Sequence, residues 1–208
     1  MIALYLSAFV TFFVVIDPPG CAPIFASLTS GAPAQHRRAM AIRSVMVASG
    51  ILFAFALAGK PFLKSMGVSL EAFRVAGGIM LFLIALEMVF EKRTERRENR
   101  VQDVKSSPAD HDDISIFPMG IPMIAGPGSI ASAMLLCSRV DNWFDRGIVL
   151  TAMATILLLT LVSLLLAGPL MKLLGNRMEA MITRILGVIL AALATQFVID
   201  GIKTSFGV

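Results

Sequence analysis

The stretch IDPPGCAP at residues 16–23 interrupts an apolar run that begins at the second residue of the chain. A second apolar run is interrupted in the same way by AGPGS at residues 125–129. Proline lacks an amide donor and its ring clashes with the preceding helical turn, so neither stretch is expected to continue an α-helix. We therefore predict that each run is a pair of half-helices joined by a non-helical hinge, at about residues 17–20 and about residues 125–129.

The chain as a whole is too apolar for a soluble protein. Of its 208 residues, 57% are hydrophobic and 15% are charged, and the mean hydropathy is +0.82. A soluble domain carries roughly 25% charged residues. The composition therefore indicates an all-α integral membrane protein surrounded by the lipid bilayer. The net charge of +4 comes from basic residues between apolar runs, so it indicates membrane topology and not nucleic-acid binding.

Six apolar runs are long enough to cross a bilayer as helices, which takes about 20 residues each. They lie at about 2–28, 39–59, 70–90, 115–138, 147–171 and 181–203, and a charged loop at 91–114 divides them three and three. Twelve of the 18 Lys and Arg residues lie in the connections after the first, third and fifth runs. The positive-inside rule then places the 91–114 loop in the cytoplasm and both termini on the outer side of the cell's inner (plasma) membrane.

The two halves of the sequence resemble each other at a shift of 108 residues. The matched pairs include Pro19-Gly20 with Pro127-Gly128, Pro61 with Pro169, Lys64 with Lys172, and Glu71-Ala72 with Glu179-Ala180. We predict one membrane domain, 1–208, made of a first repeat at 1–90, the loop at 91–114 and a second repeat at 115–208. Because each repeat has three spans, the second enters the membrane inverted, an arrangement that recurs in secondary transporters.

The two hinges are the candidate substrate site, because interrupted helices in matching positions form such sites in transporters. Asp17 is a carboxylate in the middle of a span, where charge is costly and usually functional. It is a candidate partner for an ammonium group, a proton or Na⁺, and equally a candidate helix cap without substrate contact. The amides after each hinge are candidate partners for a carboxylate, and Ser129 is a candidate cap. The predicted substrate-binding residues are Asp17, Pro18, Pro19, Gly20, Cys21, Pro23, Ala125, Gly126, Pro127, Gly128 and Ser129.

Other residues in the spans are predicted to have structural roles. Gly77-Gly78 and Gly187 favour close packing of helices, because small residues let two backbones approach each other. A role in lining a transport path is the alternative for these glycines. Glu87 and Asp200 lie near the ends of spans and are expected at the membrane interface.

The motifs DPPGCAPIF at 17–25 and PMIAGPGSI at 122–130 resemble those of the MarC family of bacterial and archaeal inner-membrane proteins. This family is named for a multiple antibiotic resistance locus and includes an archaeal transporter of small neutral amino acids. The resemblance covers nearly the whole chain and implies six helices in inverted repeats, with two discontinuous helices that bind a small substrate such as glycine or alanine. An Asn-Pro hinge is expected in the amino-acid-transporting branch where this chain has Asp17-Pro18, which leaves the substrate and coupling ion open.

The sequence contains no nucleotide-binding loop, zinc motif or serine-hydrolase elbow, so we predict no enzyme activity, catalytic residue, cofactor or metal site. The expected function is secondary transport of a small zwitterionic solute by alternating access. Coupling to H⁺ or Na⁺ and assembly into a homo-oligomer are left open. A small-solute channel and a non-transporting membrane partner or assembly protein are the alternatives.

Overall fold

The computed structural model describes residues 1–90, 113–140 and 142–207 together with positions 92, 96, 99 and 102, and at 170–177 and 179–180 it describes the backbone alone. The described chain folds into helices and short connections. In chain order the helices are α1 (Ile2–Ile16), α2 (Pro18–Leu28), α3 (Ala34–Ser65), α4 (Leu70–Val89), α5 (Ser115–Ile124), α6 (Pro127–Ser138), α7 (Trp143–Leu165) and α8 (Ala167–Phe206).

The helical segments are long and apolar enough for an integral membrane protein. Five candidate spans are Ile2–Leu28, Ala34–Ser65, Leu70–Val89, Trp143–Leu165 and Met181–Phe206. A sixth results if α5 and α6, which are bent by 53° across their break, cross the membrane together. Large outward side chains such as Leu83, Leu158 and Val188 are more than half exposed, as a surface in contact with lipid requires.

The first span is interrupted at one residue, Asp17, and not over the whole predicted hinge. Asp17 has a left-handed backbone conformation, with φ 59° and ψ 66°, which ends α1 and begins α2. Pro18 and Pro19 occupy the first positions of α2, and Pro23 lies inside it. Proline is favoured in a first turn because its φ is already helical and its missing amide has no helical partner there. The prediction of a non-helical backbone at 18–20 is therefore wrong.

The second interruption covers Ala125 and Gly126, and α6 begins at Pro127. The predicted hinge is again three residues too long, because a proline starts the new helix. The preceding segment α5 is irregular, with extended backbone at Phe117 and Ile121. Each of these two residues stands directly before a proline, which disfavours the helical conformation.

Two further predicted boundaries change in the structure. α7 ends at Leu165 and not near residue 171, because the chain turns at Leu166 and α8 starts at Ala167. Of the predicted loop at 91–114, positions 92, 96, 99 and 102 are described and helical, and the other residues up to 112 lie outside the described residues.

The helices pack in pairs that correspond across the two halves of the chain. α3 packs against α5 and α6, and α7 packs against α1 and α2. In the same way α4 contacts α6, and α8 contacts α2. Between them lies a core of large, fully buried side chains that includes Phe12, Ile16, Leu52, Leu135, Met153 and Ile156. This packing places both breaks in the interior of the bundle.

α4 and α8 run antiparallel with their backbones close together. A Cβ atom added to Gly78 would lie 2.9 Å from Ala194 O, and one added to Gly187 would lie 3.1 Å from Ala85 O. Gly201 faces the first turn of α4 at a similar distance. The close packing predicted at Gly78 and Gly187 is therefore confirmed, since side chains at these positions would push the helices apart.

Candidate functional site

Asp17 caps α2 from inside the protein. Its side chain is fully buried, and Oδ1 accepts a hydrogen bond from the amide of Gly20 at 3.2 Å. Its backbone oxygen accepts the amide of Cys21 at 3.0 Å. Because Pro18 and Pro19 carry no amide, Asp17 supplies acceptors for the first two amides of α2. The capping role that the sequence left open for Asp17 is thus present in the structure.

The start of α6 has no such cap. Gly126 precedes Pro127, and no side chain among the described residues caps the first turn. Ile130 is the first residue of α6 whose amide bonds back to the preceding chain, to Gly126 O at 3.0 Å. The amides of Gly128 and Ser129 therefore have no partner within the helix. The expectation that the Ser129 hydroxyl caps α6 is not met.

A cavity of about 220 Å³, which we call the α6 cavity, lies at these amides. It is lined by Val15, Ile84, Glu87, Arg96, Pro122, Met123, Gly126, Pro127, Gly128 and Ser129. Glu87 lies at the end of α4 that leads into the central connection, whereas Ser129 follows the break between α5 and α6. The cavity therefore runs from the side of the central connection towards the middle of the membrane region.

The inner end of the α6 cavity offers hydrogen-bond donors. Ser129 is 2% exposed, and its hydroxyl forms no hydrogen bond within the described part of the chain. The free amides of the same turn coincide with the positive end of the α6 dipole. Donors grouped in this way suit a small anion such as a carboxylate.

The side nearer the central connection carries two charges. Glu87 and Arg96 form an ion pair there, in which the Arg96 side chain is 64% exposed and the Glu87 side chain 22% exposed. The α6 cavity therefore has a carboxylate and a guanidinium on one side and neutral donors on the other.

The structure brings only the second hinge to the α6 cavity. Of the predicted site residues, Gly126, Pro127, Gly128 and Ser129 line it, whereas Asp17, Pro18, Pro19, Gly20, Cys21, Pro23 and Ala125 do not. Val15 is the contribution of the first span. The first break therefore does not line the α6 cavity, because Asp17 is buried and accepts a hydrogen bond from its own helix.

Sequence reasoning missed two charged residues of the α6 cavity, Glu87 and Arg96. The helical period contains a signal for Glu87. Gly77 and Ile84 contact α6, and Glu87 follows Ile84 by three residues, which places it next to that face of α4. Arg96 lies in the highly charged connection and has no comparable signal.

A second ion pair lies at the opposite end of α4 and α8. Arg139, directly after α6, pairs with Asp200 of α8, and its guanidinium lies 4.2 Å from the centre of the Phe197 ring. Burial lowers the pKa of Arg139, and the charge of Asp200 opposes this shift. Asp200, predicted at the membrane interface, thus links α8 to the end of α6 through its ion pair with Arg139.

These observations define an integral membrane protein with a polar cavity between its helices. The sequence model for MarC family integral membrane proteins matches residues 2–206. The chain belongs to this family, as its two hinge motifs predicted.

Several named relatives align over nearly their full length. A UPF0056 membrane protein of Methanocaldococcus jannaschii is 35% identical over 200 residues, covering 96% of each chain. The UPF0056 membrane protein YvbG of Bacillus subtilis is 33% identical over 208 residues, covering 100% of this chain and 98% of its own. The UPF0056 inner membrane protein YhgN of Escherichia coli is 32% identical over 198 residues, covering 95% of each. No solved structure matches the chain.

Proposed function

We propose that the protein is a secondary transporter of small neutral amino acids or a similar small zwitterionic solute, and that this solute binds in the α6 cavity. One observation carries the proposal. The amides of Gly128 and Ser129 and the Ser129 hydroxyl are donors without a described partner, at the inner end of a cavity between membrane helices. Interrupted membrane helices persist where they line a cavity, and such cavities are the usual substrate sites of transporters. We propose no enzymatic activity.

Alternating access would follow from the two halves of the chain. Corresponding helices make corresponding contacts, with α3 on α5 and α6 and α7 on α1 and α2, which supports the predicted inverted repeat. The halves nevertheless differ at their breaks, since Gly126 of the second break lines the α6 cavity whereas Asp17 of the first break does not. In the proposed cycle the halves exchange these arrangements, which covers the second break and exposes the first. Asp17 would then become accessible to H⁺ or Na⁺ from the other side of the membrane.

Counterflow in proteoliposomes tests this proposal. Vesicles loaded with unlabelled glycine or alanine should take up the labelled amino acid, and vesicles without protein should not. For the site itself, we would place a single cysteine at Ser129 after replacing the buried Cys21 and Cys137. A methanethiosulfonate reagent should block counterflow by Ser129→Cys, and glycine should protect against the block. Ser132→Cys, one turn along α6, is the matched control, because Ser132 is fully buried and does not line the cavity.

The alternatives give different results. A channel would conduct labelled solute without any stimulation by solute on the opposite side. A non-transporting membrane partner would show no flux with folded protein. Equal block of the two cysteine variants would place the substrate path outside the α6 cavity.

A further inference from the structure

Glu87 is the acidic residue on the α6 cavity among the residues that the structure describes. It is partly buried near the end of α4, and its carboxylate is paired with Arg96. Asp17, the acid that the sequence favoured, is fully buried and accepts the amide of Gly20. In this conformation Glu87 is therefore available to a solute in the α6 cavity, whereas Asp17 is not.

Close packing brings Glu87 near the donors of α6. A Cβ atom added to Gly128 would lie 2.6 Å from Ile84 Cδ1, so α4 touches the first turn of α6 at this level. Glu87 follows Ile84 by three residues, which corresponds to about 4.5 Å along the helix axis. The Glu87 carboxylate on α4 and the donors of Ser129 on α6 thus border the same small cavity.

This arrangement matches the two charged groups of an α-amino acid. Its ammonium and carboxylate groups are attached to one carbon atom, so a site for both needs an acidic acceptor close to neutral or positive donors. We infer that Glu87 binds the ammonium group of the substrate, while the Ser129 hydroxyl and the first amides of α6 bind its carboxylate. Arg96 pairs with Glu87 until the substrate ammonium replaces it, and its mostly exposed side chain has room to move away. The inference rests on the proposed function, since it specifies how the same cavity recognises its solute.

The test compares glycine with glycolate, which has the same carboxylate but a hydroxyl group in place of the ammonium group. Binding of each labelled compound to purified full-length protein is measured by equilibrium dialysis, and glycine counterflow is measured in parallel. The variants are Glu87→Gln, Glu87→Asp and Arg96→Gln. Glu71→Gln is the matched control, because Glu71 lies in the first turn of the same helix, away from the α6 cavity. Thermal unfolding in detergent verifies that every variant is folded.

We expect wild type to bind glycine more tightly than glycolate. Glu87→Gln should weaken glycine binding about tenfold or more, because a charged partner is lost, and should leave glycolate binding unchanged. Glu87→Asp should restore part of the preference. Arg96→Gln should not weaken glycine binding, because it removes a competitor for Glu87.

Three results would overturn the inference: no glycine binding by wild type, equal glycine affinities for Glu87→Gln and Glu71→Gln, or equal weakening by Glu87→Gln and Arg96→Gln. The last result would mean that the ion pair is only structural. Counterflow that survives in Glu87→Gln with unchanged glycine affinity would overturn the inference and support the transport function. Glycine binding that depends on Glu87, without counterflow, would support the inference and contradict the transport function.

Discussion

A single methyl group at Gly78 should loosen the contact between α4 and α8. A Cβ atom there would lie 2.7 Å from Val198 Cγ2, 2.9 Å from Ala194 O and 3.0 Å from Val198 N. The side chain of Val198 can rotate, but the two backbone atoms cannot move unless α8 shifts. Overpacking of this kind costs about 1–3 kcal/mol, whereas alanine gains about 1 kcal/mol over glycine as a helix former. We expect Gly78→Ala to lower the free energy of unfolding by up to about 2 kcal/mol.

The matched control is Gly50→Ala in α3. No atom lies within 4 Å of a Cβ added to Gly50, so the variant should gain up to about 1 kcal/mol. Because both variants gain the helix propensity of alanine, they should differ by the overpacking cost, about 1–3 kcal/mol, measured by reversible unfolding in mixed detergent micelles. If Gly78→Ala proves as stable as Gly50→Ala, then α4 and α8 do not pack as closely as described.

Three further predictions concern charged residues. Asp17→Ala should lower stability by about 1 kcal/mol or more, because a buried amide loses its acceptor and alanine is strained at φ 59°. In thermal unfolding, Asp17→Asn should retain most of the stability. Hydrogen bonds from Ser115 lower the pKa of Asp113. The stability that the ionised Asp113 contributes is fully present above its unfolded pKa of about 3.8. It is lost as the pH falls through the lower pKa of the folded state. Asp113→Ala should therefore cost under about 1 kcal/mol at pH 7 and nothing in strong acid. Arg139→Ala and Asp200→Ala should each destabilise the protein, and the double variant by about 1 kcal/mol less than their sum, as judged by a double-mutant cycle.

Each of these three predictions can fail in its own way. Equal stability of Asp17→Ala and wild type would mean that the Asp17 cap does not stabilise the start of α2. A deficit of Asp113→Ala that persists at pH 2 would point to packing and not to charge. Strict additivity of Arg139→Ala and Asp200→Ala would mean that their ion pair contributes nothing to stability.

The positions of the helices could be predicted because the length and hydrophobicity of a span are properties of the local sequence. The apolar run at 70–90 corresponds to α4, Leu70–Val89, within one residue. The approximate positions of both breaks could also be predicted, since the effect of proline on a helix is local. The number of residues in each break could not be predicted. A proline ends a helix in one context and starts the next in another, and the outcome here depends on the unusual backbone of Asp17.

The α6 cavity could be predicted only in part, because it depends on how distant segments pack. Ser129 belongs to a recognisable motif, but Glu87 joins the same cavity only because Gly128 lets α6 lie against Ile84. A periodic apolar pattern indicates that a helix is buried or faces lipid, and it does not specify which helix it meets. The different surroundings of the two hinges could not be predicted either, because the burial of a residue depends on the packing of the whole bundle.

The glycine contacts between α4 and α8 also restrict how the molecule can move. At Gly78, Gly187 and Gly201 each helix meets backbone atoms of the other, so rotation of side chains cannot separate the two helices. If the protein is a carrier, α4 and α8 would move together as one rigid body. The helices that move relative to them would be α2 and α6, the shorter helices that begin at the breaks. A cross-link between α4 and α8 would then leave the cycle running, whereas one between α4 and α6 would stop it.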